Sequence, residues 1–596
     1  MSDTQIAPTD ELTESAAREA ASEWLRSFAA ALEAGSAEQL TALFTEAATW
    51  RDFMAFDWDV SNRIGREPLV ERLLDWNATA LADGFALSTE QNPLVAEGSN
   101  VQAFFDFTTA ERIDRGYVYL VPAGDGYLAA TLQTQADSLE RFPERAGHNR
   151  PQGKVHGVVE DRTRWSADRE QEIAFENSEP AAVVLGAGHN GLSIAARLTS
   201  LDVPTLVIDR EPRVGDVWRN RYSSLALHSI LHVDHLPYLP FPKTWTAHTP
   251  KDKLADFLEY YSHALDMNVW TGTTFIDATY DDDVNVWHLR VERPDGSIRE
   301  LHPRHFIVAA GLNGPPKIPA VEGLDRFQGE YAHSGGYQAA AEQTGKKVLV
   351  VGSGVSAHEM AHDLYEHGAD VTMMQRGQTY VIDFDTFNKF WFGLYQEHQE
   401  PALEYADQVA YSLPNLIGDE VNKQLVELAK EEDKELLDAL EEKGFRLEWG
   451  PEGTGIIGAH MAGRDSYQIN IGASELIADG RVKLKSGVEL AEVKEHSVVF
   501  TDGSEMDVDL ILFATGYEQL WDHIRPTLGG AAEHIDKVYG RAEDGEYANV
   551  WRRSSQPGLW FGTGFVGMAR FHSKFMTLLI KAIEEGIAPV DNRGEN

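Results

Sequence analysis

Cysteine is missing from this sequence of 596 residues. Enzymes that exchange disulfides need a redox-active cysteine pair, so the absence excludes that class of oxidoreductase. Structural disulfides, thiolate metal sites and cysteine nucleophiles are excluded for the same reason. The chemistry of this chain must therefore come from other side chains or from a bound cofactor.

Positive charge is scarce. Lysine and arginine number 52 against 95 aspartate and glutamate residues, which gives a formal net charge of −43 at pH 7. Nucleic acids and anionic membranes bind basic patches, so we expect neither as a partner. The excess of acidic groups favours solubility instead.

Long hydrophobic runs are also missing. No apolar stretch reaches the roughly 20 residues that a membrane-spanning helix needs. The opening residues, MSDTQIAPTDELTES, lack the basic start and the apolar core of a signal peptide. We therefore expect a cytoplasmic protein. With 43% hydrophobic residues, the chain can build the cores of several globular domains.

Two glycine-rich turns of one type dominate the chain. The first turn is AVVLGAGHNG, residues 182–191, and the second turn is VLVVGSGVSA, residues 348–357. In each, an apolar run predicts a buried parallel strand, and the first glycine makes the tight turn. The second glycine lets the backbone approach a pyrophosphate at the start of a helix. The repeat predicts that one polypeptide binds two dinucleotides.

The residue that ends the second strand of each unit distinguishes the two nucleotides, because it meets the ribose. TLVIDR places Asp209 where a carboxylate can accept hydrogen bonds from free ribose hydroxyls, whereas VTMMQR offers Gln375 and Arg376, which suit a 2′-phosphate. We therefore expect FAD at the first site and NADPH at the second, with NADH left open as an alternative donor. The predicted FAD-binding residues are Gly186, Gly188, Gly191, Asp209 and Arg210, and the predicted NADPH-binding residues are Gly352, Gly354, Ala357 and Arg376.

The pattern of predicted elements gives an α/β fold class. Two Rossmann-like dinucleotide-binding domains, with the NADPH domain inserted into the FAD domain, follow an α+β domain at the N-terminus. The predicted boundaries are 1–145 for the α+β domain, 146–180 for a polar linker, 181–339 and 495–596 for the FAD domain, and 340–494 for the NADPH domain with a helical insertion at 384–444.

Further motifs resemble a known family. FQGEYAHSGGY, residues 327–337, has the form F-x-G-x-x-x-H-x-x-x-Y, and FATGY follows at residues 513–517. Together they resemble the class B flavin monooxygenases. GDVWRNRYSSLALHS and LPYLPFP are similar to segments of the plant indole-3-pyruvate monooxygenases. Residues 1–145 resemble a SnoaL-like cone domain, and such an extension is similar to that of the bacterial type II flavin-containing monooxygenases.

The resemblance implies an enzyme that reduces FAD with NADPH and captures dioxygen as a C4a-peroxyflavin. We expect it to oxygenate small ketones by Baeyer–Villiger insertion, with sulfide or amine oxygenation as a secondary activity. Oxidative decarboxylation of a 2-oxo acid such as indole-3-pyruvate is the alternative in the same class. An uncoupled NADPH oxidase and a redox-sensing nucleotide-binding protein also stay open. We expect a homodimer whose partners are otherwise dioxygen and a small organic substrate.

Several site residues follow only from this resemblance. His228, in YSSLALHS, is implied as catalytic, because the plant-like enzymes carry a histidine there that can donate a proton or help to position NADP⁺. A satisfied histidine under the LPYLPFP loop is the alternative. Gly215 and Trp218 match a G-G-x-W segment beside the flavin, although Asp216 replaces the second glycine. The remaining implied roles are backbone contacts to the flavin at Thr515 and Gly516, and a joint between the two nucleotide domains at His333 and Tyr337.

Two patterns suggest other kinds of site. HEMAH, residues 358–362, fits the zinc motif H-E-x-x-H, but it lies in the helix that should bind a pyrophosphate, so we expect no metal. Trp50, Arg51 and Asp52 stand where SnoaL-like domains often line a pocket. Packing is the alternative for these three residues, and we favour it because a fold does not by itself give a function.

Overall fold

The N-terminal domain in the computed structural model is an α+β unit. The structure describes residues 12–154, 156–397, 401–463 and 466–590, so the two outermost predicted boundaries lie outside the described residues. The first helix begins after Thr13, whose hydroxyl accepts a hydrogen bond from the N–H of Ala16 at 3.2 Å. The helices of this domain are Glu14–Glu33, Ala37–Thr41 and Arg66–Ala80.

One seven-stranded mixed sheet faces these helices, as the predicted order of helices before strands implied. Its order is Val60–Ile64, Phe44–Phe53, Gly126–Leu139, Arg112–Ala123, Asn100–Thr108 and Asp83–Leu87, and Leu94–Ala96 also pairs with Asn100–Thr108. The pair between the strands Phe44–Phe53 and Gly126–Leu139 is parallel, and the other pairs are antiparallel. The SnoaL-like assignment stays a prediction.

The three residues considered for a pocket in this domain are used in packing. The indole N–H of Trp50 donates to Oγ1 of Thr134 at 2.8 Å, and Thr134 donates to Oδ1 of Asp52 at 2.5 Å. Arg51 binds Glu546 in the last third of the chain. All three side chains are buried, so the packing interpretation agrees with the geometry.

The first nucleotide unit contains a five-stranded parallel sheet. Its order is Val269–Trp270, Thr205–Ile208, Ala182–Leu185, His305–Val308 and Leu559–Phe561. Apolar side chains on both faces explain the near-continuous hydrophobic runs of these strands. Its helices are His189–Ser200, Asp216–Arg219, Lys251–Ala264 and Val566–Glu584, and the antiparallel strands Thr274–Asp281, Val286–Glu292 and Ile298–Leu301 lie on one side.

The second nucleotide unit repeats this plan with another five-stranded parallel sheet. Its order is Glu330–His333, Leu510–Phe513, Lys347–Val351, Asp370–Gln375 and Lys483–Ser486. Its helices are Val355–Glu366 and Ala473–Ala478, and its antiparallel strands are Leu490–Val493, Ser497–Phe500 and Glu505–Asp507. Two Rossmann-type domains are therefore present, as predicted.

The sheet order corrects the predicted boundaries of the second domain. The sequence analysis gave residues 330–333 and 510–513 to the FAD domain, on either side of an insertion at 340–494. In the structure both segments are strands of the second sheet, and Leu510–Phe513 pairs with Glu330–His333 on one side and Lys347–Val351 on the other. Leu510–Phe513 is as apolar as the strands of the first sheet, so composition alone could not assign it.

The helical insertion is also longer than the predicted 384–444. Its helices are Phe384–Trp391, Leu403–Ala410, Asn415–Glu432, Lys434–Glu442 and Gly455–Met461, and the parallel pair Tyr380–Asp383 with Tyr467–Asn470 closes it. The linker at 146–180 carries the helix Trp165–Ala174, and the strands Asn313–Pro316 and Tyr517–Gln519 and the helix Leu520–Ile524 connect the two nucleotide domains. In the part of the chain that the structure describes, we find no helix with the length and apolar character to cross a bilayer.

Candidate active site

The backbone of the first turn has the shape that a dinucleotide needs. Gly186 has a φ of 109°, and a Cβ there would lie 2.7 Å from the carbonyl oxygen of Ala309. A Cβ at Gly191 would lie 1.9 Å from the carbonyl oxygen of Gly186, so helix and strand meet too closely for a side chain. A Cβ at Gly188 would meet no atom within 4 Å. Open space at this one glycine leaves room for a ligand against the backbone.

The second turn has the same shape. Gly352 has a φ of 131°, and a Cβ there would lie 2.3 Å from the carbonyl oxygen of Ala514. The helix Val355–Glu366 follows with Gly354 as its N-cap, and Ala357 is buried where the first turn has its third glycine. Among the described residues, no side chain caps this helix or the helix after the first turn. Both helix starts therefore present free N–H groups to an anion.

Asp209 lies beside the first turn, where the sequence placed it. Its Oδ2 accepts a hydrogen bond from the N–H of Ala187 at 2.5 Å, and its Oδ1 accepts one from the N–H of Glu211 at 2.8 Å. The carboxylate thus holds the loop in shape, and its predicted contact with ribose stays a prediction. Arg210 points outward with its side chain 82% exposed and its Nε 3.6 Å from Glu211.

Gln375 and Arg376 do not act together as the sequence suggested. The Gln375 side chain is fully buried, its Nε2 donates to the carbonyl oxygen of Arg446 at 3.0 Å, and its Oε1 accepts from the N–H of Arg446 at 2.8 Å and from Ser486 at 2.9 Å. Every polar atom of this amide has a protein partner, so Gln375 has a structural role. Arg376 is exposed and lines the cavity described below, and its pairing with a 2′-phosphate stays a prediction.

The G-x-x-W segment lies against the first turn. A Cβ at Gly215 would lie 2.4 Å from the carbonyl oxygen of Ala255, and its φ is 89°. Asp216, in place of a second glycine, forms ion pairs with Arg213 and Arg219, so the departure from the family pattern is accommodated by local charge. The ring of Trp218 lies 6.2 Å from that of His189 and packs against the cores of both nucleotide domains.

A cavity of about 1570 Å³ lies between the two turns. His189 and Asn190 line it from the first turn, and residues 351–357 line it from the second. The predicted site residues that line this cavity are Gly352, Gly354, Ala357, Arg376, Thr515 and Gly516. The predicted residues Gly186, Gly188, Gly191, Asp209, Arg210, Gly215, Trp218 and His228 lie outside its lining.

Sequence analysis missed His189 and Asn190. Nε2 of His189 lies 2.8 Å from the carbonyl oxygen of Gly564, and Nδ2 of Asn190 donates to the same oxygen at 3.1 Å. Burial lowers the pKa of His189. The Oδ1 of Asn190 is buried and has no partner among the described residues. Their position directly after the second glycine was the available signal, because these residues open the helix that faces the ligand.

His228 lies between the domains and not in the cavity. Its Nε2 is 2.7 Å from Oε1 of Glu359, without the alignment of a hydrogen bond. Tyr222 donates a hydrogen bond to the other oxygen of Glu359. Glu359 belongs to the helix Val355–Glu366 that follows the second turn. The geometry therefore places His228 in a contact between the two nucleotide domains, and its catalytic role stays a prediction.

The segment around Thr515 connects the two nucleotide domains. Thr515 donates a hydrogen bond to the carbonyl oxygen of Lys317, and the carbonyl oxygen of Gly516 lies 2.9 Å from Nε2 of His333. Tyr337 donates to Oδ2 of Asp363 at 2.5 Å. The contacts of His333 and Tyr337 lie within the second nucleotide domain, because Glu330–His333 and Leu510–Phe513 share its sheet and Asp363 lies on its helix Val355–Glu366. The expected joint at His333 and Tyr337 stays a prediction. Contacts of Thr515 and Gly516 with a flavin stay a prediction.

HEMAH is used in packing and interdomain contact. Glu359 binds Tyr222 and His228, and His358 is buried with its Nδ1 3.2 Å from the carbonyl oxygen of Gly354. Burial lowers the pKa of His358 to about 4. Among the residues that the structure describes, no group of three or more metal-ligating side chains could hold a metal ion.

The residues present fit two bound dinucleotides. Each turn combines a glycine at positive φ, a crowded glycine or alanine for close packing and an uncapped helix start. Asp209 beside the first turn suits a ribose, and Arg376 after the second suits a phosphate. FAD at the first site and NADPH at the second match this chemistry.

The chain is similar to several known proteins. A family described as Pyridine nucleotide-disulphide oxidoreductase matches residues 183–391. Indole-3-pyruvate monooxygenase YUCCA1 of Oryza sativa subsp. japonica is 32% identical over 339 residues, which are 57% of this chain and 77% of that protein. Probable indole-3-pyruvate monooxygenase YUCCA3 of Arabidopsis thaliana is 30% identical and covers 56% of this chain and 72% of its own length.

A solved structure shares the fold. Cyclohexanone monooxygenase bound to ε-caprolactone has a TM-score of 0.50 and 18% identity, and the match covers 68% of this chain and 88% of that one. The chain of 596 residues is itself a flavin-dependent enzyme that uses FAD and NADPH. Because the rice relative is 32% identical and the match covers 77% of that protein, the chain belongs to the class B flavin monooxygenases.

Proposed function

We propose that the protein is an NADPH- and oxygen-dependent monooxygenase that inserts one oxygen atom beside the carbonyl of small ketones. One observation carries the proposal: a single cavity of about 1570 Å³ reaches both nucleotide turns. A substrate in this cavity would have access to both cofactors. The overall reaction consumes a ketone, dioxygen, NADPH and a proton, and it yields an ester or lactone, NADP⁺ and water.

The residues of the chain bind the two cofactors and form the walls of the substrate cavity. The two uncapped helix starts hold the pyrophosphates, and Arg376 pairs with the 2′-phosphate of NADPH. Trp218 packs against the cores of both nucleotide domains. Bound FAD supplies the redox chemistry and the activation of oxygen. His189 and Asn190 line the cavity beside the first turn, and the unpartnered Oδ1 of Asn190 can accept a hydrogen bond from a ligand.

A second candidate is oxidative decarboxylation of a 2-oxo acid. It is supported by the relatives, because the matched plant proteins are named indole-3-pyruvate monooxygenases. Arg221, Lys317 and Lys537 also line the cavity and provide cations for a carboxylate. Sulfide and amine oxygenation, uncoupled NADPH oxidation and redox sensing are further outcomes that the same cofactors allow. A homodimer and a cytoplasmic location stay predictions.

The proposal is tested by coupling NADPH consumption to product. The purified yellow enzyme would be given small cyclic ketones, indole-3-pyruvate and an organic sulfide, with isotopically labelled dioxygen and product analysis by mass spectrometry. Labelled lactone in proportion to NADPH supports ketone oxygenation, whereas release of carbon dioxide from indole-3-pyruvate alone favours the second candidate. Hydrogen peroxide equal to the NADPH consumed with every compound would contradict both.

A further inference from the structure

One wall of the cavity is a tight hairpin. The N–H of Tyr539 donates to the carbonyl oxygen of Ala548 at 2.9 Å, and the N–H of Ala548 donates to that of Gly540 at 2.9 Å. Near the tip, the N–H of Ala542 donates to the carbonyl oxygen of Glu546 at 2.8 Å. We call residues 537–549 the cavity hairpin. Residues 536–540 line the cavity, and the last four of them form the first limb of the hairpin.

Tyr539 is the aromatic side chain that the cavity hairpin contributes. Its φ is 73°, a conformation that a residue with a side chain adopts only where its surroundings impose it. Its ring lies 5.7 Å from that of His460 and 5.7 Å from that of Tyr547. His460 and Tyr467 also line the cavity. The position of this aromatic wall therefore depends on what holds the hairpin.

The N-terminal domain holds the tip of the hairpin through Arg51. Nε of Arg51 donates to Oε1 of Glu546 at 3.0 Å, and Nη2 donates to Oε2 at 2.5 Å. Nη1 donates to the carbonyl oxygens of Tyr411 and Leu413, both at 3.1 Å. The side chains of Arg51 and Glu546 are 1% and 2% exposed. A bidentate pair out of water fixes both distance and direction, unlike an exposed ion pair.

Neighbouring contacts hold the same tip. Asn62 donates to Oε1 of Glu546 at 2.9 Å and to the carbonyl oxygen of Asp544 at 3.0 Å. Arg552 joins Asp59 of the N-terminal domain to Asp544 of the hairpin, at 3.1 Å and 2.6 Å. From the other side, Nη2 of Arg541 donates to Oδ1 of Asp419 in the helical insertion at 2.7 Å. The hairpin is thus held between the N-terminal domain and the insertion.

We propose that Arg51 is a positioning residue for the substrate: through Glu546 it fixes the cavity hairpin, so that Tyr539 forms a substrate-binding wall of the cavity. The N-terminal domain then shapes substrate binding without contacting the substrate itself. This inference rests on the proposed function, because it takes the carbonyl compound to be the occupant of that wall. If the N-terminal domain only packed against the rest of the chain, contacts outside the hairpin would be enough, such as the ion pair of Asp137 with Lys574.

The test uses the full-length enzyme with FAD bound. Arg51→Lys keeps the charge but loses the planar fork, and Arg51→Met with Glu546→Leu removes both buried charges together, which avoids an unpaired charge. We expect the double variant to raise the KM for the ketone about tenfold or more and to release a larger share of hydrogen peroxide. The KM for NADPH should change less than about twofold. Arg51→Lys should fall between wild type and the double variant.

Asp137→Asn is the matched control, because it weakens an N-terminal-domain contact that does not touch the hairpin. It should leave both KM values near those of wild type. Hydrogen exchange of residues 537–549, compared with residues 559–561 of the first sheet, reads the hairpin directly and needs no turnover. If wild type oxygenates no ketone, the proposed function fails, while hydrogen exchange still tests Arg51. A folded double variant with wild-type exchange in the hairpin and a wild-type ketone KM would overturn the proposal.

Discussion

Nε2 of His228 lies 2.7 Å from Oε1 of Glu359, so a loop of the FAD domain contacts the helix that begins at the second nucleotide turn. Glu359 is 7% exposed and also accepts a hydrogen bond from Tyr222. A carboxylate so buried needs these partners. The histidine that the family resemblance marks as catalytic therefore also has a clear structural partner.

Glu359→Gln tests this contact. We expect a loss of about 1–3 kcal/mol in the free energy of unfolding and an increase of about threefold or more in the KM for NADPH, because the helix start would be held less firmly. Thermal unfolding and steady-state kinetics measure these effects. His362→Gln, which breaks an exposed pair with Glu366 on the same helix, is the control and should change little.

The companion variant His228→Gln separates structure from catalysis. If His228 only connects the two domains, the kcat of this variant should stay within about tenfold of the wild-type value. A fall of about 100-fold or more, with a changed pH profile, would instead support proton transfer by His228.

Arg376→Ala tests the second nucleotide. Loss of a charge-assisted contact with the 2′-phosphate should raise the KM for NADPH by roughly 10- to 100-fold and leave the KM for NADH nearly unchanged. Initial rates with both donors give the ratio. Arg481→Ala removes an exposed arginine paired with Asp479 in the same domain and serves as the control. An unchanged preference for NADPH in the Arg376 variant would contradict the assignment.

Two glycines of the first turn should respond differently to alanine. At Gly191 the new Cβ would meet the carbonyl oxygen of Gly186 at 1.9 Å, so we expect the free energy of unfolding to fall by at least about 2 kcal/mol. At Gly188 the Cβ meets no protein atom within 4 Å, so the apoprotein should keep its stability. Titration with FAD should then reveal weaker binding, because the methyl group occupies ligand space. Full FAD affinity in Gly188→Ala would argue against a pyrophosphate at this turn.

Asp52 should make stability depend on pH. Burial raises the pKa of Asp52 to about 7, far above its unfolded value of 3.8, so the folded state holds the proton more tightly. Its favourable contribution is present below about pH 4 and is lost as the pH rises through 7, by at most about 4 kcal/mol. Asp52→Asn imitates the protonated carboxyl group and should gain in Tm relative to wild type between pH 5 and pH 8. An equal difference in Tm between Asp52→Asn and wild type at pH 5 and at pH 8 would contradict this prediction.

Much of the nucleotide-binding architecture could be predicted from neighbouring residues. The strand, the glycines and the helix of each turn lie within ten residues, and their conformations follow from local backbone freedom and hydrophobic periodicity. Asp209 and Arg376 could be found in the same way, because the end of the next strand has a regular distance along the chain. His189 and Asn190 were within reach of this logic, since they open the first helix.

Other features depended on which segments meet in space. From the sequence, Gln375 was expected with Arg376 beside a 2′-phosphate, but its buried amide is bound to Arg446 and Ser486. The sequence predicted that Leu510–Phe513 belongs to the FAD domain. Its pairing with Lys347–Val351 in the structure assigns it to the second sheet instead. The sequence of an apolar strand does not show which strands pair with it, because such a strand can bury both faces in either sheet.

The sequence by itself determined two dinucleotide sites, the nucleotide expected at each from side-chain charge, and the exclusion of cysteine chemistry, since each follows from residue type and short spacing. Only the tertiary structure decided the pairing of Arg51 with Glu546, 495 residues apart, and the contact of His228 with Glu359. Buried charges need an opposite charge at hydrogen-bonding distance, and which residues supply it depends on how the domains pack together.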